Sequence, residues 1–164
     1  MRKFFLIISV LLISFSVYCQ TPTPHATLQK VFPNTVFGAK LTGDIEGLTI
    51  NIEGTAFSNA VAEYVKGKLD IKISIIDYVN ANDMVDAMAV DLNKDLNYSD
   101  ENSFAKTFLL DGKKGYIMGD KSAKTTTLIL AWNNRFVLTI NLTGKVSESD
   151  VKAIYKDLDL SILE

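Results

Sequence analysis

Residues Thr125 to Leu142 read TTTLILAWNNRFVLTINL, two apolar runs broken by Asn133-Asn134. Asn tolerates positive φ better than most residues, so an Asn-Asn pair between two runs of this kind predicts a tight hairpin. A two-residue turn there would pair Trp132 with Arg135, Leu130 with Val137 and Leu128 with Thr139 on one face. Ala131 with Phe136, Ile129 with Leu138 and Thr127 with Ile140 would fall on the other. Side chains alternate across a strand, so both faces of this hairpin are substantially apolar, as in the middle of a sheet.

Other segments extend the same pattern. Leu69, Ile71, Ile73 and Ile75 alternate with Asp70, Lys72 and Ser74, the cleanest period of two in the chain. Strands are also expected over 35–42, 48–53, 60–65, 104–110 and 115–119, with turns at Asp44 to Gly47, Lys66-Gly67 and Asp111 to Lys114. Two segments change to helical spacing. Met84, Val85, Met88 and Leu92 form one stripe, possessing Asn82 or Asp83 as a cap. Val151, Ile154, Tyr155 and Leu158 form another behind Ser147-Glu-Ser-Asp150, which has the form of a capping box. The expected fold is α+β: a single, mainly antiparallel sheet of about seven to eight strands with two helices packed on one face.

The chain has 164 residues, 48% of them hydrophobic, enough for one domain with its own core. Arg2 and Lys3 precede an apolar run from Phe4 to Val17, which has the form of an export leader ending near Cys19. The expected organisation is a signal peptide over 1–19, a linker and short N-terminal segment over 20–33, and a single domain over 34–164. Cys19 is the only cysteine and also stands where a lipid-modified cysteine would stand, so a lipid-anchored envelope lipoprotein is an alternative. Without Arg2 and Lys3, 15 Lys and Arg face 19 Asp and Glu, a formal net charge of −4. That balance gives no basic footprint for nucleic acid. After the leader no run is apolar enough for a transmembrane helix.

Ile75-Ile76-Asp77-Tyr78, Asp111-Gly112-Lys113-Lys114-Gly115-Tyr116, Asn134-Arg135-Phe136-Val137 and Asp157-Leu158-Asp159-Leu160 follow one another in an order that resembles uncharacterised exported bacterial proteins of about this size. The resemblance implies an α+β domain and offers no established activity to carry over.

The sole histidine, His25, lies in the QTPTPHA segment and reads as a solvated linker residue. A Ser-His-Asp triad, a Cys-His pair and a zinc site of His and Cys therefore all lack parts. No cofactor motif is legible, and no cofactor is expected. Asp91, Asn93 and Asp95 place oxygen ligands at every second residue, as the start of a calcium loop does, but the sixth position is Leu96 where such a loop needs glycine. The function expected is a non-enzymatic binding or interaction domain, secreted or in the cell envelope, that meets a protein, peptide or lipid-like partner. Its binding residues would be Trp132 and Arg135 with Leu128, Leu130 and Val137, unless the domain covers that apolar face itself. The alternative from another class is an exported enzyme that works with carboxylates or lysines, with or without a metal ion.

Overall fold

A computed structural model of the chain describes residues 21–52, 55–79, 95–133 and 135–163. Ten strands among them form one antiparallel sheet. They are β1 (Thr35–Val36), β2 (Ala39–Leu41), β3 (Glu46–Ile52), β4 (Thr55–Lys66), β5 (Leu69–Asp77), β6 (Asn97–Ser99), β7 (Ser103–Leu110), β8 (Lys113–Asp120), β9 (Thr125–Trp132) and β10 (Phe136–Thr143). Their order across the sheet is β1-β2-β4-β5-β10-β9-β8-β7-β6, with β3 lying on β4 beside β2. Helix is sparse: α1 (His25–Leu28) runs into a 3₁₀ turn at Gln29–Val31, and α2 (Glu148–Lys156) is followed by a 3₁₀ turn at Leu160–Leu163.

This corrects the expected α+β fold of seven to eight strands: the described domain is mostly β. Two local features account for the added strands, and a third lengthens an expected one. Phe37 and Gly38 both take positive φ, which folds the single strand expected over 35–42 back on itself as β1 and β2. Asn97–Ser99, a polar stretch with no apolar period, pairs with β7 as an edge strand. Finally β4 runs for twelve residues where only Ala60 to Val65 showed strand character, because Ala, Ser and Asn carry its first half. The helix expected from the stripe Met84, Val85, Met88 and Leu92 lies outside the described residues.

The hairpin that organises the sequence is present, one residue out of the expected register. Trp132 pairs with Phe136, Leu130 with Leu138 and Leu128 with Ile140, so the loop is three residues long. Asn133 takes φ +56°, the left-handed conformation that made the Asn pair a turn signal. A one-residue slip exchanges the faces of a strand. Leu128 and Leu130 therefore join Phe136, Leu138, Ile140 and Leu142 on the face that α1 and α2 cover, and all six are buried. Thr127, Ile129 and Ala131 lie on the other face with Val137, Thr139 and Asn141.

The core sits between that inner face and the helices. β5 contributes Ile71, Ile73 and Ile75, each buried as their alternation predicted. β4 contributes Ala60, Ala62 and Tyr64; the alanines leave room for α1, which lies against this strand. Tyr64 is fully enclosed, its hydroxyl donates to Pro33 O at 2.9 Å, and burial pushes its phenol pKa up. From α2 come Val151, Ile154 and Tyr155, with Leu158 just beyond. Each such aliphatic side chain contributes about 1.5–3 kcal/mol when removed from water. The start of α2 is fixed by the capping box read from the sequence: Ser147 accepts from the Asp150 amide, and the Asp150 carboxylate accepts from the Ser147 amide at 2.7 Å.

The segment ahead of β1 is tied down. The Thr23 amide donates to Asp77 Oδ2 at 2.7 Å, and Ser58 Oγ donates to Thr23 O. His25 is half-buried rather than solvated: its amide donates to Thr49 Oγ1 at 2.8 Å, and its Nδ1 lies 3.0 Å from the same oxygen.

Candidate functional site

In an antiparallel sheet, alternate turns project from the same end. Three of them meet beyond the start of β5 and the end of β10. Thr143 is paired on one side with Asp70 and on the other with Thr125. That register sets the β4–β5 turn, the β8–β9 turn and the exit from β10 side by side. The three carry Lys66 and Lys68, Lys121 and Lys124, and Lys145. Lys124 takes φ +53°, and its carbonyl accepts from the Gly144 amide at 2.8 Å, which fastens two of the turns together.

The turns enclose a cavity of about 540 Å³ bounded by Lys66, Lys68, Leu69, Ala123, Lys124, Thr143, Gly144 and Lys145. A cavity of about 210 Å³ shares Lys124, Gly144 and Lys145 with it and reaches Phe104 and Val146. A third, of about 340 Å³, shares Phe104, Lys121, Thr126 and Val146 with the second and ends between Ile117, Lys106, Tyr98 and the start of α2. Neighbouring cavities share lining residues, so the three lie in series along this end of the sheet and together are termed the groove.

Charge is distributed unevenly along it. Lys68, Lys124 and Lys145 are exposed and meet no carboxylate among the described residues. Lys66 lies over the Phe37 ring, 4.5 Å from its centre, and donates to Phe37 O at 2.9 Å. Asp120 on the groove wall is bound into its own turn. Its Oδ1 accepts from the Ala123 amide at 2.8 Å and from Ser122 Oγ at 2.7 Å, which hold its carboxyl below the usual range. At the far end the ammonium of Lys106 donates to Glu148 Oε2, while Lys152 lies 3.4 Å from Oε1. The Lys106 hydrogen bond is the main reason that the Glu148 carboxyl is held low. Lys121 donates to Ser99 Oγ at 3.0 Å and to the Asp100 carbonyl. One end of the groove thus has ammonium groups with no carboxylate partner among the described residues, and at the other the charged groups are hydrogen-bonded within the domain.

The residues singled out from the sequence lie elsewhere. Leu128 and Leu130 are fully buried, so the domain itself covers the face that they were expected to offer a partner. Val137 is buried on the opposite side of the sheet, and the Trp132 side chain lies outside the described residues. Arg135 forms a forked ion pair with Asp77 at the end of the sheet away from the lysines; the hydrogen bond to that carboxylate leaves the guanidinium more basic than usual, against the opposing effect of burial. Of the calcium ligands considered, Asp91 and Asn93 lie outside the described residues. Asp95 is exposed and pairs with Lys114 at 3.0 Å. Among the described residues no three His, Cys, Asp or Glu side chains come close enough to hold a metal ion.

The lysine end escaped sequence reading because its members are spread from Lys66 to Lys145 and each is an ordinary turn residue. The available signals were the Lys-Gly-Lys and Lys-Ser-Ala-Lys turns, which only the strand order brings together. No protein-family model, curated protein or solved structure matches the chain. No helix among the described residues is long and apolar enough to cross a membrane.

Proposed function

We propose that this chain is a non-enzymatic binding domain, exported to the cell envelope or beyond, whose ligand presents a negatively charged group to the lysine end of the sheet. The observation that carries the reading is that Lys68, Lys124 and Lys145 line one cavity and meet no carboxylate among the described residues, in a chain whose formal net charge is −2. Like charges gathered on a concave surface focus the field and raise the local concentration of anions. Three ammonium groups can also supply charge-assisted hydrogen bonds to one phosphate, sulfate or carboxylate. Export is supported by the leader-like run from Phe4 to Val17. The patch is small and the remainder of the chain acidic, which favours a compact anion over the long phosphate backbone of a nucleic acid.

Titration calorimetry with tripolyphosphate at low salt tests this. The wild-type protein is expected to bind, with affinity falling as salt rises. The triple variant Lys68→Glu, Lys124→Glu, Lys145→Glu is expected to bind at least tenfold more weakly while melting at the same temperature, since all three side chains are exposed. Absence of binding by the wild type, or equal binding by the triple variant, overturns the proposal.

A further inference from the structure

The groove does not stop at the lysines, and its two ends differ in character. Past Lys124 and Lys145 it narrows through Val146 and Phe104 into the cavity of about 340 Å³ floored by Ile117. The Phe104 side chain reaches this floor because its cross-strand partner is Gly119: a Cβ there would lie 2.6 Å from Phe104 Cε1. Of the charged groups on the wall, Lys106 and Glu148 satisfy each other, and Lys121 donates to Ser99 Oγ and the Asp100 carbonyl. Ammonium groups with no carboxylate partner among the described residues at one end, and an apolar floor beside hydrogen-bonded polar groups at the other, fit one kind of molecule.

We infer that the ligand is an anionic amphiphile, with its head group at Lys124 and Lys145 and a single alkyl chain along Val146, Phe104 and Ile117. This rests on the anion-binding reading above and adds the chain to it. Head and chain act in series: charge selects and orients the ligand, and removal of methylenes from water supplies affinity. Complete burial would tighten binding by roughly tenfold for every two methylenes. An open groove realises part of that gain, so eight carbons should tighten binding at least tenfold over one carbon.

The test compares methyl phosphate with octyl phosphate, both kept below micelle-forming concentrations, by calorimetry or amide chemical shifts. The wild type is expected to bind octyl phosphate at least tenfold more tightly than methyl phosphate. Val146→Asn, at a half-exposed position, is expected to erase that difference while leaving methyl phosphate binding intact. The triple lysine reversal is expected to weaken both ligands by tenfold or more. If methyl phosphate binds and octyl phosphate binds no better, the amphiphile inference fails and the anion site stands. Tighter octyl phosphate binding that ignores the lysine reversal overturns both, because the head group would then lie elsewhere. Binding of neither overturns the anion reading, and the amphiphile falls with it. The chain-length comparison needs no variant, so it decides even if Val146→Asn fails to fold.

Discussion

Arg135 grips Asp77 with both prongs of its guanidinium, Nε to Oδ1 and Nη2 to Oδ2, each at 2.7 Å. The Asp77 side chain is wholly enclosed, whereas Arg135 keeps about a quarter of its surface in contact with solvent. The same Nη2 reaches Thr21 O at 3.1 Å and Thr23 Oγ1 at 3.2 Å, so the pair also fastens the N-terminal segment to the sheet.

Removing the two partners should therefore not cost the same. Among the described residues, Arg135→Ala leaves a buried carboxylate with only the Thr23 amide for company, and is expected to destabilise the fold by about 3 kcal/mol. Asp77→Ala leaves a guanidinium that can turn toward water and should cost less. Urea denaturation of both single variants and the double should give a coupling of at least about 1 kcal/mol. Additive costs would mean that the ion pair does not matter to stability.

The three-residue loop of the central hairpin depends on Asn133 at φ +56°. Asn133→Val places a β-branched residue in the left-handed region, and is expected to cost about 1–2 kcal/mol. Asn133→Gly relieves the backbone but gives up the Nδ2 bond to Leu163 O, long at 3.4 Å, and should fall within about 0.5 kcal/mol of wild type. Thermal melts of the two variants check the ordering.

A methyl group at Gly119 would meet Thr125 O at 2.5 Å and the Phe104 ring at 2.6 Å. Gly119→Ala should thus destabilise by about 1–3 kcal/mol through overpacking. It should also displace Phe104, which amide chemical shifts of β7 would report.

Acid should loosen the turn between β6 and β7 before the core. Asp100 Oδ1 accepts from the Asn102 and Ser103 amides at 2.8 and 2.7 Å, and its other oxygen from Tyr98. Led by the Tyr98 hydrogen bond, these hold its carboxyl at about 2, against an ordinary 3.8. A carboxyl depressed in the folded state contributes stability that is fully present above its unfolded pKa and is lost as pH falls through the folded one. The Ser103 amide should accordingly lose protection between about pH 4 and pH 2. In Asp100→Asn that pH dependence should vanish.

Much of the β-rich architecture was legible where burial imposes a pattern. The alternation of Leu69 to Ile75 and the box and stripe of Ser147 to Leu158 appear as read, because one face of each element is wet and the other dry. The central hairpin was legible as a hairpin but not in register. Both of its faces are apolar, so a one-residue slip leaves the pattern unchanged. β1, β2 and β6 are short strands whose partners, not their own composition, define them. β4 hides behind Ala60 and Ala62, small because a helix lies over them. The lysine groove depends on strand order across the whole sheet, which no local window contains. His25 shows the same limit in miniature: its Thr49 partner is 24 residues away.

Thr21 is held by Arg135 and Leu163 by Asn133, so the first and last described residues emerge beside the same hairpin. The lysines lie at the other tip of β10, eight residues on and about 25 Å distant. A support, a fluorophore or a fused domain joined at Thr21 or Leu163 would attach behind the molecule and leave the cationic tip facing outward. The same polarity means that a domain moored at Thr21 would present that tip to whatever diffuses past.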